Sequence, residues 1–228
     1  MYHLHDYPNA SAAFQVVVQR WPDDPLAAQS LLAMGTIYGE LGQYDKAIEP
    51  LRLLIAKFPQ DPHLPQAKLW IAHNLVWLKQ FAQALAQYGE AATTGSPVLA
   101  EARYYRGYCQ MMLKEYDQAI ETLGQVVAAD ADATRVVRAH YYLACCHYGK
   151  KNFDAAIAEL DKILAGNSPP YVQSHPAALY FKADCYHSAG RHDAARTTAE
   201  ELLSRFPDSS YADPARLLLE AIRAATSS

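Results

Sequence analysis

One alanine recurs along the chain, at Ala10, Ala47, Ala84, Ala119, Ala156 and Ala195, with spacings of 37, 37, 35, 37 and 39 residues. Three places before each stands a ring: Tyr7, Tyr44, Phe81, Tyr116, Phe153 and His192. Four places after come Phe14, Leu51, Tyr88, Leu123, Leu160 and Ala199. A period of this length, kept in register over six copies, calls for a stack of repeats, because so short a unit cannot bury its own apolar face. The copy from Leu31 to Pro59 shows the internal design. Apolar residues follow helical spacing from Leu31 to Leu41 and again from Tyr44 to Ile55, and Gly42-Gln43 interrupts them, which predicts two antiparallel helices. Small Gly35 and Ala47 let the two backbones approach, with Tyr38, Tyr44 and Leu51 filling the space around them.

The alignment divides the chain into units at 27–59, 64–96, 99–131, 136–167 and 175–207, preceded by a partial unit at 7–22 and followed by a capping helix at 213–224, all within one domain, 1–228. Trp21-Pro22-Asp23-Asp24-Pro25 and Phe58-Pro59-Gln60-Asp61-Pro62 are stop-and-start signals, since proline cannot continue a helix and aspartate favours the next N-terminus. Gly166-Asn167-Ser168-Pro169-Pro170 opens the longest connection, expected to run to about His175-Pro176. Leu4, Tyr7, Ala10, Phe14, Val17-Val18 and Pro22 match only the second half of a unit, so the chain is expected to be a fragment that begins in the last turn of an incomplete helix. The first helix, Pro8–Gln19, is therefore the weak end of the stack and a possible edge for self-association. The last helix carries Leu217, Leu218, Leu219 and Ile222 opposite Arg216, Glu220 and Arg223, as a solvated cap requires.

Several chemistries find no support. With 20 Lys and Arg against 24 Asp and Glu, and no basic cluster beyond Lys150-Lys151, there is no footprint for nucleic acid. No apolar run reaches membrane-spanning length, and Met1-Tyr2-His3-Leu4-His5 is not a secretory signal. Cys109, Cys146 and Cys185 share one position of successive units, where neighbouring helices lie about 8–10 Å apart, beyond the roughly 7 Å reach of a disulfide. Unpaired thiols are expected, which points to a reducing compartment. Cys145-Cys146-His147, with Cys185 and His187, lacks metal-ligand spacing, because adjacent helical residues diverge by about 100°. No phosphate loop, nucleophile elbow or carboxylate pair is present, so neither metal, cofactor nor catalysis is expected.

Met34 and Gly35, Tyr38, Leu41-Gly42, Tyr44, Ala47, Leu51, Leu54-Ile55 and Pro59 follow the pattern W-x2-L-G-x2-Y…A-x3-F…P, with Leu31 in place of the Trp. The sequence thus resembles the tetratricopeptide repeat (TPR) family. The resemblance implies an all-α fold, a right-handed α-α superhelix of five helical hairpins with an extra helix at each end. It also implies a non-enzymatic scaffold that binds a peptide or protein segment, the alternative being a structural or self-associating module. In the family the first helices of successive hairpins line a groove. Carried over by position, that groove comprises Leu69, His73, Trp77, Tyr104, Tyr108, Met111, Tyr141, Cys145, Tyr148, Tyr180, Asp184 and His187, centred on Tyr104, Tyr108, Tyr141 and Tyr148. Trp70, Tyr105, Tyr142 and Phe181 are assigned to the core. Lys68, Arg103 and His140 depart from the family, which buries Trp or Leu there. Leu32, Leu69, Thr36 and His73 stand where a chaperone-type carboxylate clamp needs polar or basic groups, so no such clamp is expected. The linker triplets Trp21-Pro22-Asp23, Phe58-Pro59-Gln60 and Phe206-Pro207-Asp208 resemble those of bacterial cell-envelope members, such as the TolA-binding division coordinator and the barrel-assembly lipoprotein.

Overall fold

The structure, a computed structural model, describes residues 7–226 except residue 94. Leu4 and the first five residues, singled out above, lie outside the described residues. The described residues form twelve helices and no strand. These are α1 (Tyr7–Arg20), α2 (Pro25–Glu40), α3 (Tyr44–Lys57), α4 (Leu64–Trp77), α5 (Phe81–Ala91) and α6 (Leu99–Met112). There follow α7 (Tyr116–Ala129), α8 (Ala133–Gly149), α9 (Phe153–Ala165), α10 (Pro169–Ser188), α11 (His192–Arg205) and α12 (Ala212–Thr226). The fold class is the all-α one expected. The chain separates into two compact units, one up to Cys109 and one from Gln110, the division falling inside α6.

Five turns of one construction join α2 to α3, α4 to α5, α6 to α7, α8 to α9 and α10 to α11. In the first, Gln43 N–H donates to the Tyr38 carbonyl at 2.8 Å and Gly42 N–H to the Gly39 carbonyl at 3.0 Å, the double closure of a Schellman motif. The same two bonds recur at Gln80 and Lys79, Glu115 and Lys114, Asn152 and Lys151, and Arg191 and Gly190. The motif needs a left-handed residue, and Gly42, Lys79, Lys114, Lys151 and Gly190 all have φ between 60° and 74°. Only two of the five are glycine.

Within the first unit α1 packs on α2, α2 on α3, α3 on α4 and α4 on α5, and α2 also touches α4. A Cβ on Gly35 would lie 2.4 Å from Leu51 Cγ, so the close approach of α2 and α3 rests on that glycine and on fully buried Ala47. Leu51, Leu54, Ile71, Ala84 and Tyr88 form the centre of this core. In the second unit α7 to α12 pack successively, and α10 touches α8 and α12 as well. Ala156, Leu160, Ile163, Ala178 and Cys185 make one cluster there, and Ala195, Ala199 and Ile222 another.

Two of the three residues expected to depart from the family, Lys68 and His140, reach sideways to the second helix of their own hairpin. Lys68 pairs with Glu90 at 3.0 Å, and buried His140 bonds Glu159 at 2.7 Å, which also holds Lys162 at 2.7 Å. These side chains therefore take a polar partner at a site where an apolar one would simply be covered.

The connection after α9 is much shorter than the sequence predicts. Gly166 ends α9 and Ser168, with an extended φ, ψ of −75°, 156°, begins α10 at once. Pro169 and Pro170 occupy the first two helical positions, where a missing N–H costs nothing. Pro176 sits inside the helix and removes one backbone bond without ending it. His175 is buried here, its Nε2 donating to the Gly166 carbonyl at 3.2 Å, and Ser174 Oγ donates to the Pro170 carbonyl at 2.9 Å.

Candidate functional site

In the first unit the ring-bearing residues of α4, α5 and α6 gather around His73. Its Nδ1 meets the Tyr88 hydroxyl at 2.7 Å, while Nε2–H donates to Glu101 at 3.1 Å. Trp70, Tyr88 and Tyr105 surround the imidazole edge-on at centroid distances of 5.7, 5.5 and 4.6 Å. Tyr88 is wholly buried, and that burial pushes its phenol far above the ordinary range. His73 is thus a structural hub with little of its ring left to offer a ligand.

Two of the predicted groove residues in this unit are core. Leu69 is 1% exposed and Tyr104 is 2% exposed. Tyr104 lies edge-on to Tyr105 at 4.9 Å, and Tyr105 stacks on Tyr88 at 5.6 Å. The bulk of these rings closes over the position that a smaller set of neighbours would leave open. Tyr108 is half-buried against Phe81 at 6.2 Å, whereas Trp77 is 67% exposed with one face stacked on Tyr44 at 5.7 Å.

In the second unit the predicted residues are more open. Met111, Tyr141, Cys145, Tyr148, Tyr180, Asp184 and His187 are all half-buried. Phe181 of α10 lies between two rings of α8, 5.5 Å from Tyr141 and 5.3 Å from Tyr148. The Tyr148 hydroxyl meets Ser188 Oγ at 2.9 Å, and His187 Nδ1 lies 3.3 Å from His192 Nδ1. Tyr180 faces Tyr211 at 5.8 Å.

One cleft, of about 290 Å³, opens on this face. Val137, Arg138, Tyr141 and Tyr142 of α8 line it, with Ser174 and Ala177 of α10 and Tyr211, which precedes α12. Burial raises the Tyr141 phenol above its ordinary range, with Cys145 contributing next. Of these residues the sequence reading singled out Tyr141 for the groove and assigned Tyr142 to the core; it passed over Arg138, Ser174, Ala177 and Tyr211. Arg138 had a signal, since it stands one helical turn before Tyr141, a residue assigned to the groove, on the same helix.

The four cysteines are free thiols. Cys109, Cys146 and Cys185 are buried, Cys145 is half-buried, and burial pushes all four thiols up to about 12. Among the described residues no three His, Cys, Asp or Glu side chains converge as metal ligands would. No helix among them is long and apolar enough to cross a membrane.

Against known families, residues 29–61 match a tetratricopeptide repeat, and residues 71–134, 115–172 and 171–210 match a second description of that repeat. No curated protein matches the chain. Among solved structures, a tetratricopeptide repeat protein from Parabacteroides merdae superposes with a TM-score of 0.71 at 18% identity, over 97% of this chain and 80% of its own. YrrB, described as a TPR protein with an unusual peptide-binding site, gives 0.68 at 15% identity over 93% and 99%. PilW, a type IV pilus biogenesis factor, gives 0.68 at 20% identity over 95% and 90%. At these identities the likeness is one of fold.

Proposed function

Because the chain belongs to the tetratricopeptide repeat family, we propose that it is a non-enzymatic scaffold for protein partners and that the face shared by α8 and α10 holds a segment of one of them. The observation that carries this reading is the cleft lined by Tyr141, Tyr142 and Tyr211. These rings are half-buried rather than sealed, and tyrosine combines a large rigid contact area with a hydroxyl for a peptide backbone. A volume of about 290 Å³ is at the lower end for ligand sites and suits one or two side chains of a longer segment. The thiols, held protonated by burial, fit a role in packing.

Binding of the full chain to an array of synthetic decapeptides, each with a leucine or aromatic anchor, tests the proposal. Peptides bound by the wild type are expected to lose about tenfold or more in affinity on Tyr142→Ala, as at an interface hot spot, while helicity is retained. Binding that ignores the substitution, or an array with no binders, refutes the reading.

A second reading rests on the other end of the chain. Val16, Trp21 and Leu26 are 45%, 53% and 59% exposed on and beside α1, an apolar edge suited to another copy of the chain. Sedimentation over a wide concentration range decides it: a dimer abolished by Val16→Lys supports self-association, and a monomer throughout rejects it.

A further inference from the structure

The charges around the α8–α10 cleft are one-sided. Arg135, one turn before Arg138, is tied to Asp130 at 2.6 Å and to Asp132 at 3.1 Å. On α10, Lys182 is tied to Asp161 at 2.5 Å, and at the start of α12 Arg216 and Asp213 satisfy each other at 2.5 Å. Arg138 is exposed and has no acidic partner among the described residues, and no carboxylate lines the cleft. The hydroxyls of Tyr141 and Tyr211 likewise make no hydrogen bond to the described residues, while Ser174 already donates its proton to the Pro170 carbonyl. The lining therefore combines an arginine and two tyrosines whose hydroxyls make no hydrogen bond to the described residues with apolar Val137 and Ala177. A cation in this cleft would meet like charge and find no carboxylate. An anion beside an apolar group would find both its needs met.

We infer that the segment taken by this face carries an aspartate or glutamate within a few residues of an apolar anchor, the anchor entering the cleft and the side-chain carboxylate pairing with Arg138. This rests on the peptide-binding reading above and specifies the class of partner. The carboxylate meant is that of a side chain in mid-segment, held by one arginine and neighbouring phenols, and no terminal carboxylate is required.

Decapeptides with a single leucine anchor and Glu, Gln or Lys placed one to four residues away are the probes, titrated against the full chain by fluorescence anisotropy. In at least one spacing the Glu peptide is expected to bind about tenfold more tightly than its Gln counterpart, the gain typical of a charge-assisted hydrogen bond, with Lys weakest. Arg138→Gln should erase the difference between Glu and Gln, and Arg138→Glu should reverse the order in favour of Lys. Because Arg138 is exposed, both variants should melt as the wild type does. Equal binding of Glu and Gln peptides, with loss of both on Tyr142→Ala, overturns this inference and leaves the peptide face standing. If no peptide binds, or if Tyr142→Ala changes nothing, both proposals fall. If sedimentation instead shows a dimer that Arg138→Glu dissolves, the occupant is a second copy of this chain and the inference fails.

Discussion

Lys79, Lys114 and Lys151 hold φ of 60°, 62° and 60° in turns whose counterparts use Gly42 and Gly190. A side chain in this conformation costs roughly 1–2 kcal/mol relative to the right-handed region, part of which glycine returns as extra freedom of the unfolded chain. Lys114→Gly and Lys151→Gly are each expected to stabilise the protein by about 0.5–1 kcal/mol, read as a rise in urea midpoint at constant slope. A decrease in either would mean that the lysine side chain contributes more than its backbone costs. The tyrosines divide by burial. Tyr104→Ala should destabilise by about 3–5 kcal/mol, as loss of a buried aromatic does, whereas Tyr142→Ala should cost on the order of 1 kcal/mol. Equal losses in calorimetric melts would show that burial does not separate the two roles.

Among the elements, α10 departs furthest from its sequence signals, and its first two turns are held by buried His175 and the Ser174 hydroxyl. Amides near Ser174 and His175 are expected to exchange slowly, as helix interior does; exchange at loop rates would return this stretch to a connection. The start of α8 has an acid-sensitive fastening. Arg135 donates to Asp130 through Nε at 2.6 Å and Nη2 at 3.0 Å, and this holds the Asp130 carboxyl below its usual range. A depressed carboxyl stabilises the fold above its unfolded value of about 3.9, and the contribution disappears as pH falls through the folded value. Arg135→Met should lower stability at pH 7 and flatten its decline below about pH 4, as followed by urea midpoints against pH. A parallel decline in wild type and variant would remove Asp130 from the account.

At the scale of the whole molecule, both units bury their thiols: Cys109 in the first, and Cys146 and Cys185 in the second, with Cys145 half-buried beside them. Thiols pushed up to about 12 are almost wholly protonated at pH 8 and shielded as well. The native protein should react with DTNB only slowly, and all four thiols should titrate once it is denatured without reductant. Fewer than four would reveal a disulfide.

The run of repeats was legible in the chain itself, because the recurring alanine, the ring before it and the apolar residue after it answer to a local requirement of two packed helices. Gly35 and Gly42 announced a close approach and a turn; Lys79, Lys114 and Lys151 adopt the same turn conformation with no local sign, since the hydrogen bonds of the turn impose it. The Gly166–Pro170 stretch read as a long loop because it combines a stop with a start, and only the caps show that the two nearly coincide. Position in the repeat named Leu69, Tyr104 and Tyr141 as equivalent. Their exposure depended on the bulk of neighbours, with Tyr88 and Tyr105 filling the first unit around Tyr104 while Tyr141 and Tyr142 were left lining a cleft. Arg138 and Tyr211 share that cleft because successive hairpins bring α8, α10 and the entry to α12 together. A helical period states which face a residue occupies, and packing between elements distant in the chain decides whether that face is covered.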